Sequence, residues 1–199
     1  EHDMQVLKYQ TLQQIQVGDM ELLEQTCNQM DKDNIADLKI VENFFDDVNL
    51  INELASLQKY YNVDDYNFMS GHTNTWPGVR TECLDQRLEL NYIIDYYVKK
   101  KFNYHSKSAA YFFHKRGSKD NAKDWVHTDP TKYACIIYLS KTNLESGTVF
   151  YNDSNQVITD IGFVQNRAIF FNGQIKHKSK LNYGKDDNLR LTCNGFFHD

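Results

Sequence analysis

The pattern of apolar residues changes near residue 107, and this change constrains the fold more than any other feature of the sequence. Before it, apolar side chains recur at helical spacing, as in 84–101, which ends on three lysines that suit a helix C-terminus. After it, short segments of strand character alternate with turn-rich clusters. We therefore expect an α+β chain that is mainly β, with its helices before its strands.

The second half is predicted to contain strands at 108–116, 125–127, 133–140, 148–152, 166–172, 177–181 and 189–197. The first half is predicted to contain one or two helices within 5–38, a strand at 39–45, a helix starting at Asp46 and Asp47, turns over 61–78 and a helix at 84–101. Short strands after helices suit a double-stranded β-helix, or jelly roll, with N-terminal supporting helices. We expect one domain, with a helical extension (1–38), a helical support with lid-like loops (39–106) and a catalytic core (107–199).

Composition narrows the class of protein. The formal net charge of −5 argues against a broad surface for nucleic acid. No apolar run approaches the roughly 20 residues of a membrane helix, and no leader-like segment is seen at the N-terminus, so a cytoplasmic protein is expected. The four cysteines contain no CxxC pair and are interpreted as reduced thiols rather than disulfides or a zinc site.

His127 and Asp129 are the first candidate metal ligands. On an extended segment, residues at i and i+2 point to the same face, and Pro130 biases Asp129 towards extended backbone. The two side chains can therefore share one metal ion. An HxD tripeptide taken alone is a weak pattern that a surface turn explains better.

His177 strengthens the metal interpretation. It follows the most apolar predicted strand, 168–171, after a short polar turn, so a neighbouring strand can deliver it to the same place. Two histidines and one carboxylate leave other positions of an ion open, which suits non-haem Fe(II), whereas zinc favours a closed tetrahedral set or a single open position. An exposed loop histidine is the alternative.

Arg190 opens the last predicted strand, where alternation places Arg190, Thr192, Asn194 and Phe196 on one face. An arginine inside a barrel needs an anion, because an unpaired buried charge is costly. Its planar guanidinium matches a carboxylate in bidentate fashion. A structural salt bridge is the alternative role.

The order HxD, distal His, then Arg resembles the 2-oxoglutarate/Fe(II) oxygenase superfamily, and within it the prolyl-hydroxylase-like branch, over roughly 108–198. Supporting segments that also look alike are 39–45, 135–139, 146–149 and 166–171. The resemblance implies an Fe(II) centre, 2-oxoglutarate and O₂ as co-substrates, and ascorbate as an optional reductant. It also implies that Arg190 holds the distal carboxylate of 2-oxoglutarate, with Tyr138, Thr192 and Asn194 as further candidates for that pocket.

One segment departs from the family pattern. The hairpin between His177 and Arg190 is longer than is common in prolyl hydroxylases, which leaves Lys185 as a rival partner for the carboxylate. Arg190 is preferred, because the strand that follows it fits the family and Lys185 lies in the turn.

The primary substrate is not encoded in any motif. Branch resemblance favours a prolyl side chain of a protein or peptide, followed by free amino acids or other small metabolites. Trp76, Arg80, His114 and Arg116 are candidates for lining the site, with packing, salt bridges or an edge-strand surface as equal alternatives. Two other functions stay open: a cupin-type metal-binding jelly roll without 2-oxoglutarate, and a non-catalytic interaction module.

Overall fold

The computed structural model describes residues 38–71, 73–123, 125–180 and 189–198. Across these ranges, nine strands form two antiparallel sheets, and three α-helices precede most of the strands. The prediction of a mainly β chain with antiparallel sheets is confirmed. The helices predicted within 5–38 and the rival residue Lys185 lie outside the described residues. Among the described helices, none has both the length and the apolar character needed to cross a bilayer.

The larger sheet has six strands. Their spatial order is β1 (Leu38–Val41), β7 (Ala168–Asn172), β4 (Tyr133–Tyr138), β9 (Arg190–His198), β3 (Ser108–Arg116) and β2 (Val79–Arg80). Residues 168–171 are fully buried because their alternating side chains meet apolar groups on both faces of the sheet. Ile169 and Phe171 join one core cluster with Tyr138, whereas Phe170 packs against Phe102 on the other face.

The smaller sheet has three strands. Their order is β6 (Val157–Phe163), β5 (Asn143–Tyr151) and β8 (Lys176–Ser179). The pairing of β5 with β6 shifts register between Asn143 and Gly147. Gly147 has φ +130°, and a Cβ there would lie 2.1 Å from the carbonyl oxygen of Ile161, so only glycine fits this bulge.

The helices lie in the first half of the described chain. They are α1 (Val48–Ser56), α2 (Val63–Ser70) and α3 (Leu88–Phe102), with 3₁₀ turns at Leu84–Gln86 and Ser118–Lys123. The Asp47 carboxylate caps α1 by accepting bonds from two backbone N–H groups. Helix α3 ends at Asn103, which adopts the left-handed conformation, directly after the predicted lysine run.

Several predicted elements were wrong in detail. Strand β6 was missed, because Val157 and Ile158 are exposed and Asp160 interrupts the apolar pattern at this sheet edge. Helix α2 was missed within the predicted turns at 61–78, since it buries no residue and shows no apolar face. The predicted strand at 39–45 ends at Val41, and the one at 125–127 is reduced to a single bridge at His127.

The three described cysteines form no disulfide bond with one another. Cys135 and Cys193 are buried thiols on neighbouring strands, and Cys83 is partly exposed. Burial raises the pKa of the Cys193 thiol well above its usual value. Cys27 lies outside the described residues.

Candidate metal centre

His127 and His177 form an antiparallel bridge beside the smaller sheet. The backbone N–H of His127 donates to the carbonyl of His177 at 3.0 Å, and the reciprocal bond is 2.8 Å long. Directly opposed residues of such a pair point to the same face, and the two imidazole ring centroids are 4.5 Å apart. This one bridge brings together two histidines that lie fifty positions apart in the sequence.

Asp129 is held beside them by the turn that follows β7. Its backbone N–H donates to the carbonyl of Gly173 at 2.8 Å, and its own carbonyl accepts from Gln174 Nε2 at 3.0 Å. A Cβ on Gly173 would lie 2.2 Å from the carbonyl oxygen of Thr131, so only glycine permits this approach of the turn. The Asp129 Oδ2 atom lies 3.5 Å from His177 Nε2.

Each histidine is oriented by a backbone carbonyl two residues before it. His127 Nδ1 lies 3.0 Å from the carbonyl of Trp125, and His177 Nδ1 lies 2.9 Å from that of Ile175. Because a carbonyl only accepts, the neutral rings carry their hydrogen on Nδ1, which leaves Nε2 with a lone pair. Such second-sphere bonds fix the tautomer and the ring plane of metal-ligating histidines.

The three side chains fit a divalent ion. Their ligand atoms lie within 4.8 Å of one another, so small side-chain rotations bring all three to one ion. Burial raises the pKa of the Asp129 carboxyl to about 6, against a smaller opposing effect of His127. A cation at this place would favour the ionised carboxylate, and two imidazoles with one carboxylate are the donor set of non-haem Fe(II) sites with open positions.

The three candidate ligands border a cavity between the two sheets. It encloses about 470 Å³, including the part open to solvent. Arg190, Asn194 and Thr148 line it beyond the metal ligands, and so do Arg116 and Ser179.

Arg190, which also lines this cavity, is 5% exposed. Its guanidinium carbon is 5.7 Å from the ring centroid of Tyr138 and 5.5 Å from that of Phe163, two rings that stack on each other at 4.2 Å. Aromatic faces attract a guanidinium and limit its movement. Its Nη2 atom lies 3.5 Å from the carbonyl oxygen of Gly147 in the β5 bulge.

The other three residues predicted to hold the co-substrate differ in position. Asn194 lines the cavity, and its buried Oδ1 atom has no hydrogen-bond partner within the described ranges. Thr192 is fully buried on the same strand face, opposite His114 and Tyr138 in register. The Tyr138 hydroxyl donates to Thr148 Oγ1 at 2.7 Å, so Thr148 stands between it and the cavity. No sequence pattern singled out Thr148 as a site residue.

His114 and Arg116 lie inside the protein, and the edge-strand interpretation of their segment was wrong. Strand β3 pairs with β9 along its whole length, and β2 covers its other side at His114 and Lys115. His114 Nε2 lies 2.7 Å from the Pro77 carbonyl. Burial, followed by the positive charge of Arg116, holds the pKa of His114 well below 6.5, so the imidazole is neutral.

Trp76 and Arg80 pack against each other beside His114. The guanidinium carbon of Arg80 lies 3.7 Å from the Trp76 ring centroid and 4.5 Å from that of Phe112. These contacts support the packing interpretation of both residues. Gly78, between them, has φ +83° and lies so close to β3 that a Cβ would meet the Lys115 carbonyl oxygen at 2.3 Å.

Several proteins of known structure share this architecture. No family model and no curated protein matches the sequence. Among solved structures, a Pseudomonas putida prolyl-4-hydroxylase is similar, with a TM-score of 0.50 and 12% identity over 81% of this chain and 92% of that chain. The epimerase SnoN from nogalamycin biosynthesis, described as non-heme and α-ketoglutarate dependent, gives a TM-score of 0.51 and 12% identity over 82% of this chain and 78% of that chain.

A second SnoN structure contains Fe³⁺, α-ketoglutarate and nogalamycin RO, and it matches with a TM-score of 0.51 at 10% identity, over 82% of this chain and 79% of that chain. At such low identity, these likenesses concern the fold alone. The resemblance predicted from the sequence is therefore confirmed at the level of the fold, which this chain shares with the prolyl-4-hydroxylase and the SnoN epimerase.

Proposed function

We propose that this chain is an Fe(II)- and 2-oxoglutarate-dependent dioxygenase that hydroxylates a C–H bond. The observation that carries the proposal is the convergence of His127, Asp129 and His177 on a cavity that Arg190 also lines. The fold comparisons add support, because proteins of this fold include an α-ketoglutarate-dependent epimerase and a prolyl-4-hydroxylase.

We further propose that the two sheets form a double-stranded β-helix. Strands β3, β9, β4 and β7 would make the larger side, and β6, β5 and β8 the smaller side, with His127 replacing an eighth strand. In this division, 107–199 is the catalytic core and 39–106 supports it. The candidate ligands then lie where the two sheets meet at one end, which is a usual place for a barrel site.

In the proposed reaction, His127, Asp129 and His177 hold the iron, and Arg190 holds the distal carboxylate of 2-oxoglutarate. The bound iron and 2-oxoglutarate supply the activation of O₂. The chain orients these groups: the Trp125 and Ile175 carbonyls fix the two imidazoles, and the Tyr138 and Phe163 rings limit the guanidinium. Asn194 faces the cavity as a further polar contact, Thr192 lies beneath it, and Tyr138 supports the pocket through Thr148.

The first acceptor to test is a prolyl residue in a peptide, followed by free amino acids. Oxygen incorporation into the product separates hydroxylation from epimerisation, since an epimer gains no oxygen atom. Succinate release separates both reactions from cupin-type chemistry, which needs no 2-oxoglutarate. Ascorbate added to the assay serves to keep the iron reduced.

The decisive experiment is an anaerobic titration of the full chain with Fe(II) and then with 2-oxoglutarate. A weak visible band at about 500 nm is expected when 2-oxoglutarate chelates iron in an open facial site. Iron binding without this band would overturn the 2-oxoglutarate assignment and favour the cupin-type alternative. Failure to bind iron would favour a non-catalytic interaction module.

A further inference from the structure

The turn between β7 and β8 contacts both segments that carry the candidate metal ligands. Asn172 shapes this turn: its Oδ1 atom accepts from the backbone N–H of Gln174 at 2.9 Å, and its carbonyl accepts from that of Ile175 at 3.0 Å. The Ile175 carbonyl, in turn, is the group that orients His177. The turn is therefore a hydrogen-bonded unit that determines where its side chains point.

The Gln174 side chain reaches from this turn to the chain on both sides of Pro130. Its Nε2 atom lies 3.0 Å from the carbonyl oxygen of Asp129 and 3.5 Å from that of Thr131. A primary amide has two N–H donors, and both neighbours are acceptors, so the nitrogen rather than the oxygen of the amide faces them. Pro130 itself has no N–H to donate. The shorter contact, to Asp129, is the stronger hydrogen bond.

This contact is the second of two backbone bonds that hold Asp129. Its N–H donates to the Gly173 carbonyl at 2.8 Å, and its C=O accepts from Gln174. The two bonds lie on either side of the Asp129 Cα atom, so they fix the direction in which the side chain leaves the backbone. A single CH₂ group joins the carboxylate to this Cα atom, so the backbone orientation largely decides where the carboxylate oxygens lie.

The same contact links two ligands that come from different parts of the chain. Gln174 lies three residues before His177, and His177 Nε2 is 3.5 Å from Asp129 Oδ2. The other inter-segment link of the site, between His127 and His177, consists of backbone bonds alone. The position of Asp129 relative to His177 thus depends in part on one side chain.

Gln174 is itself an exposed residue, so its replacement should leave the fold intact. An incidental surface hydrogen bond would stabilise the turn and leave metal binding unaffected. A hydrogen bond that positions Asp129 would affect the affinity and the coordination geometry of the ion. The two roles can therefore be separated by measurement.

We propose that Gln174 is a positioning residue of the metal centre. By donating to the Asp129 carbonyl, it holds the carboxylate where it can bind the same ion as His127 and His177. This inference rests on the proposed function for the identity of the metal ligands, but it needs neither 2-oxoglutarate nor turnover. Groups that orient metal ligands in this way commonly contribute about 10- to 100-fold to metal affinity.

The test compares Gln174→Met with a matched control, Gln165→Met, in the full chain. Methionine has nearly the length and shape of glutamine but no N–H donor. Gln165 Nε2 donates to the Leu139 carbonyl at 2.9 Å, and Leu139 follows the last residue of β4, whereas Asp129 precedes its first. Equilibrium dialysis under nitrogen should show Fe(II) binding about tenfold more weakly in Gln174→Met. Fe(II) affinity should change less than about twofold in Gln165→Met.

A second readout is the visible absorption of Co(II) bound in place of iron, which depends on coordination number and geometry. At saturating Co(II), this spectrum should change in Gln174→Met and stay that of the wild type in Gln165→Met. Urea denaturation of the metal-free proteins provides the comparison of stability. Both variants should lower the urea midpoint by similar amounts, because each loses one hydrogen bond from an amide to a carbonyl.

Three results would overturn the proposal. The first is a wild-type Fe(II) affinity in Gln174→Met, and the second is a wild-type Co(II) spectrum in that variant. The third is an equal loss of Fe(II) affinity in both variants, since this would reflect general destabilisation. Circular dichroism establishes beforehand that the variants fold. If Gln174→Met does not fold, Gln174→Ala replaces it, with Gln165→Ala as its control.

The same samples distinguish this inference from the proposed function. Wild-type protein that binds Fe(II) but gives no band with 2-oxoglutarate would contradict the proposed function, while the two metal titrations would still decide the role of Gln174. A wild type that gives the band, with unchanged metal binding in Gln174→Met, would contradict the inference alone. A wild type that binds neither Fe(II) nor Co(II) would contradict both.

Discussion

The two ends of the cavity are built in different ways. At the metal end, backbone hydrogen bonds position each candidate ligand: a two-way bridge joins His127 to His177, and the Gly173 carbonyl holds Asp129. At the cationic end, which consists of Arg190 and Arg116 on adjacent strands, packing limits the movement of Arg190. Arg190 lies beside the stacked rings of Tyr138 and Phe163.

The metal end is therefore characterised by the geometry of its ligands, and the cationic end by its charge. At the metal end, carbonyl contacts to Nδ1 orient both imidazoles before any ion binds. The cationic end brings the buried guanidinium groups of Arg116 and Arg190 onto directly opposed positions of two strands. The pKa of His114 reflects this environment, because burial and the positive charge of Arg116 hold it well below its usual value. We therefore expect metal-end variants to lose iron and cationic-end variants to lose anions.

The largest effect is expected for His177→Ala, which removes one of three ligands. Iron affinity should fall about 100-fold or more, since loss of even a second-sphere partner costs 10- to 100-fold. Equilibrium dialysis with Fe(II) under nitrogen measures it. His198→Ala, at an exposed histidine on β9, is the matched control and should bind iron like the wild type. Unchanged iron binding in His177→Ala would remove this residue from the site.

Arg190→Ala should separate the two ends most directly. The dissociation constant of 2-oxoglutarate should rise about 10- to 100-fold, the cost of a lost charge-assisted hydrogen bond in a buried place. Iron affinity should change less than about threefold, because the ligands are held by their own backbone bonds. Anaerobic titration at about 500 nm measures both. Arg190→Lys should recover part of the loss, whereas equal losses of iron and 2-oxoglutarate would mean that Arg190 is structural.

The pH dependence of stability tests the charge of the cationic end. The folded pKa of His114 lies well below 6.5, so the unfolded chain binds more protons as the pH falls below that value. The free energy of unfolding should therefore decrease towards low pH, with His114 contributing up to about 1.4 kcal/mol per pH unit. His114→Gln retains a donor for the Pro77 carbonyl but does not titrate.

Urea denaturation of both proteins between pH 7 and pH 5 measures this contribution as the difference between their slopes. Other acidic groups contribute equally to wild type and variant, so they cancel in the difference. Parallel slopes would show that His114 does not lose a proton on folding.

The fold was predictable where one face of a strand or helix is buried. Strand β3 was predicted with its observed ends, Ser108 and Arg116, because its alternation and the turn after it are clear. Strand β6 was not, since an exposed edge strand has no apolar pattern to detect. Helix α2 was missed for the same reason, because it buries none of its side chains.

The candidate site was predictable only as far as local spacing reaches. The i and i+2 positions of His127 and Asp129 place both on one face, but the bridge to His177 is a register that no local pattern encodes. The same holds for Arg116, which faces Arg190 only because β3 and β9 pair in one register. No local motif predicts that Thr148 and Ser179 line the cavity, because the pairing of distant strands brings their hydroxyl groups there.

The smallest effects are expected for Tyr138→Phe and Asn194→Ala. The first variant should change stability, and the second should change 2-oxoglutarate affinity. The Tyr138 hydroxyl already donates to Thr148 at 2.7 Å, so its removal should lower the free energy of unfolding by about 1 kcal/mol and leave 2-oxoglutarate affinity unchanged.

Asn194 Oδ1 is buried without a partner among the described residues and borders the cavity, so its removal should change stability by less than about 0.5 kcal/mol. The same change should weaken 2-oxoglutarate about threefold or more, as a lost contact to a charged group does. Urea denaturation and the anaerobic titration measure the two quantities on the same samples. The reverse result, with 2-oxoglutarate weakened by Tyr138→Phe and not by Asn194→Ala, would mean that the Tyr138 hydroxyl leaves Thr148 when the co-substrate binds, and that the cationic end is rebuilt by its ligand while the metal end is not.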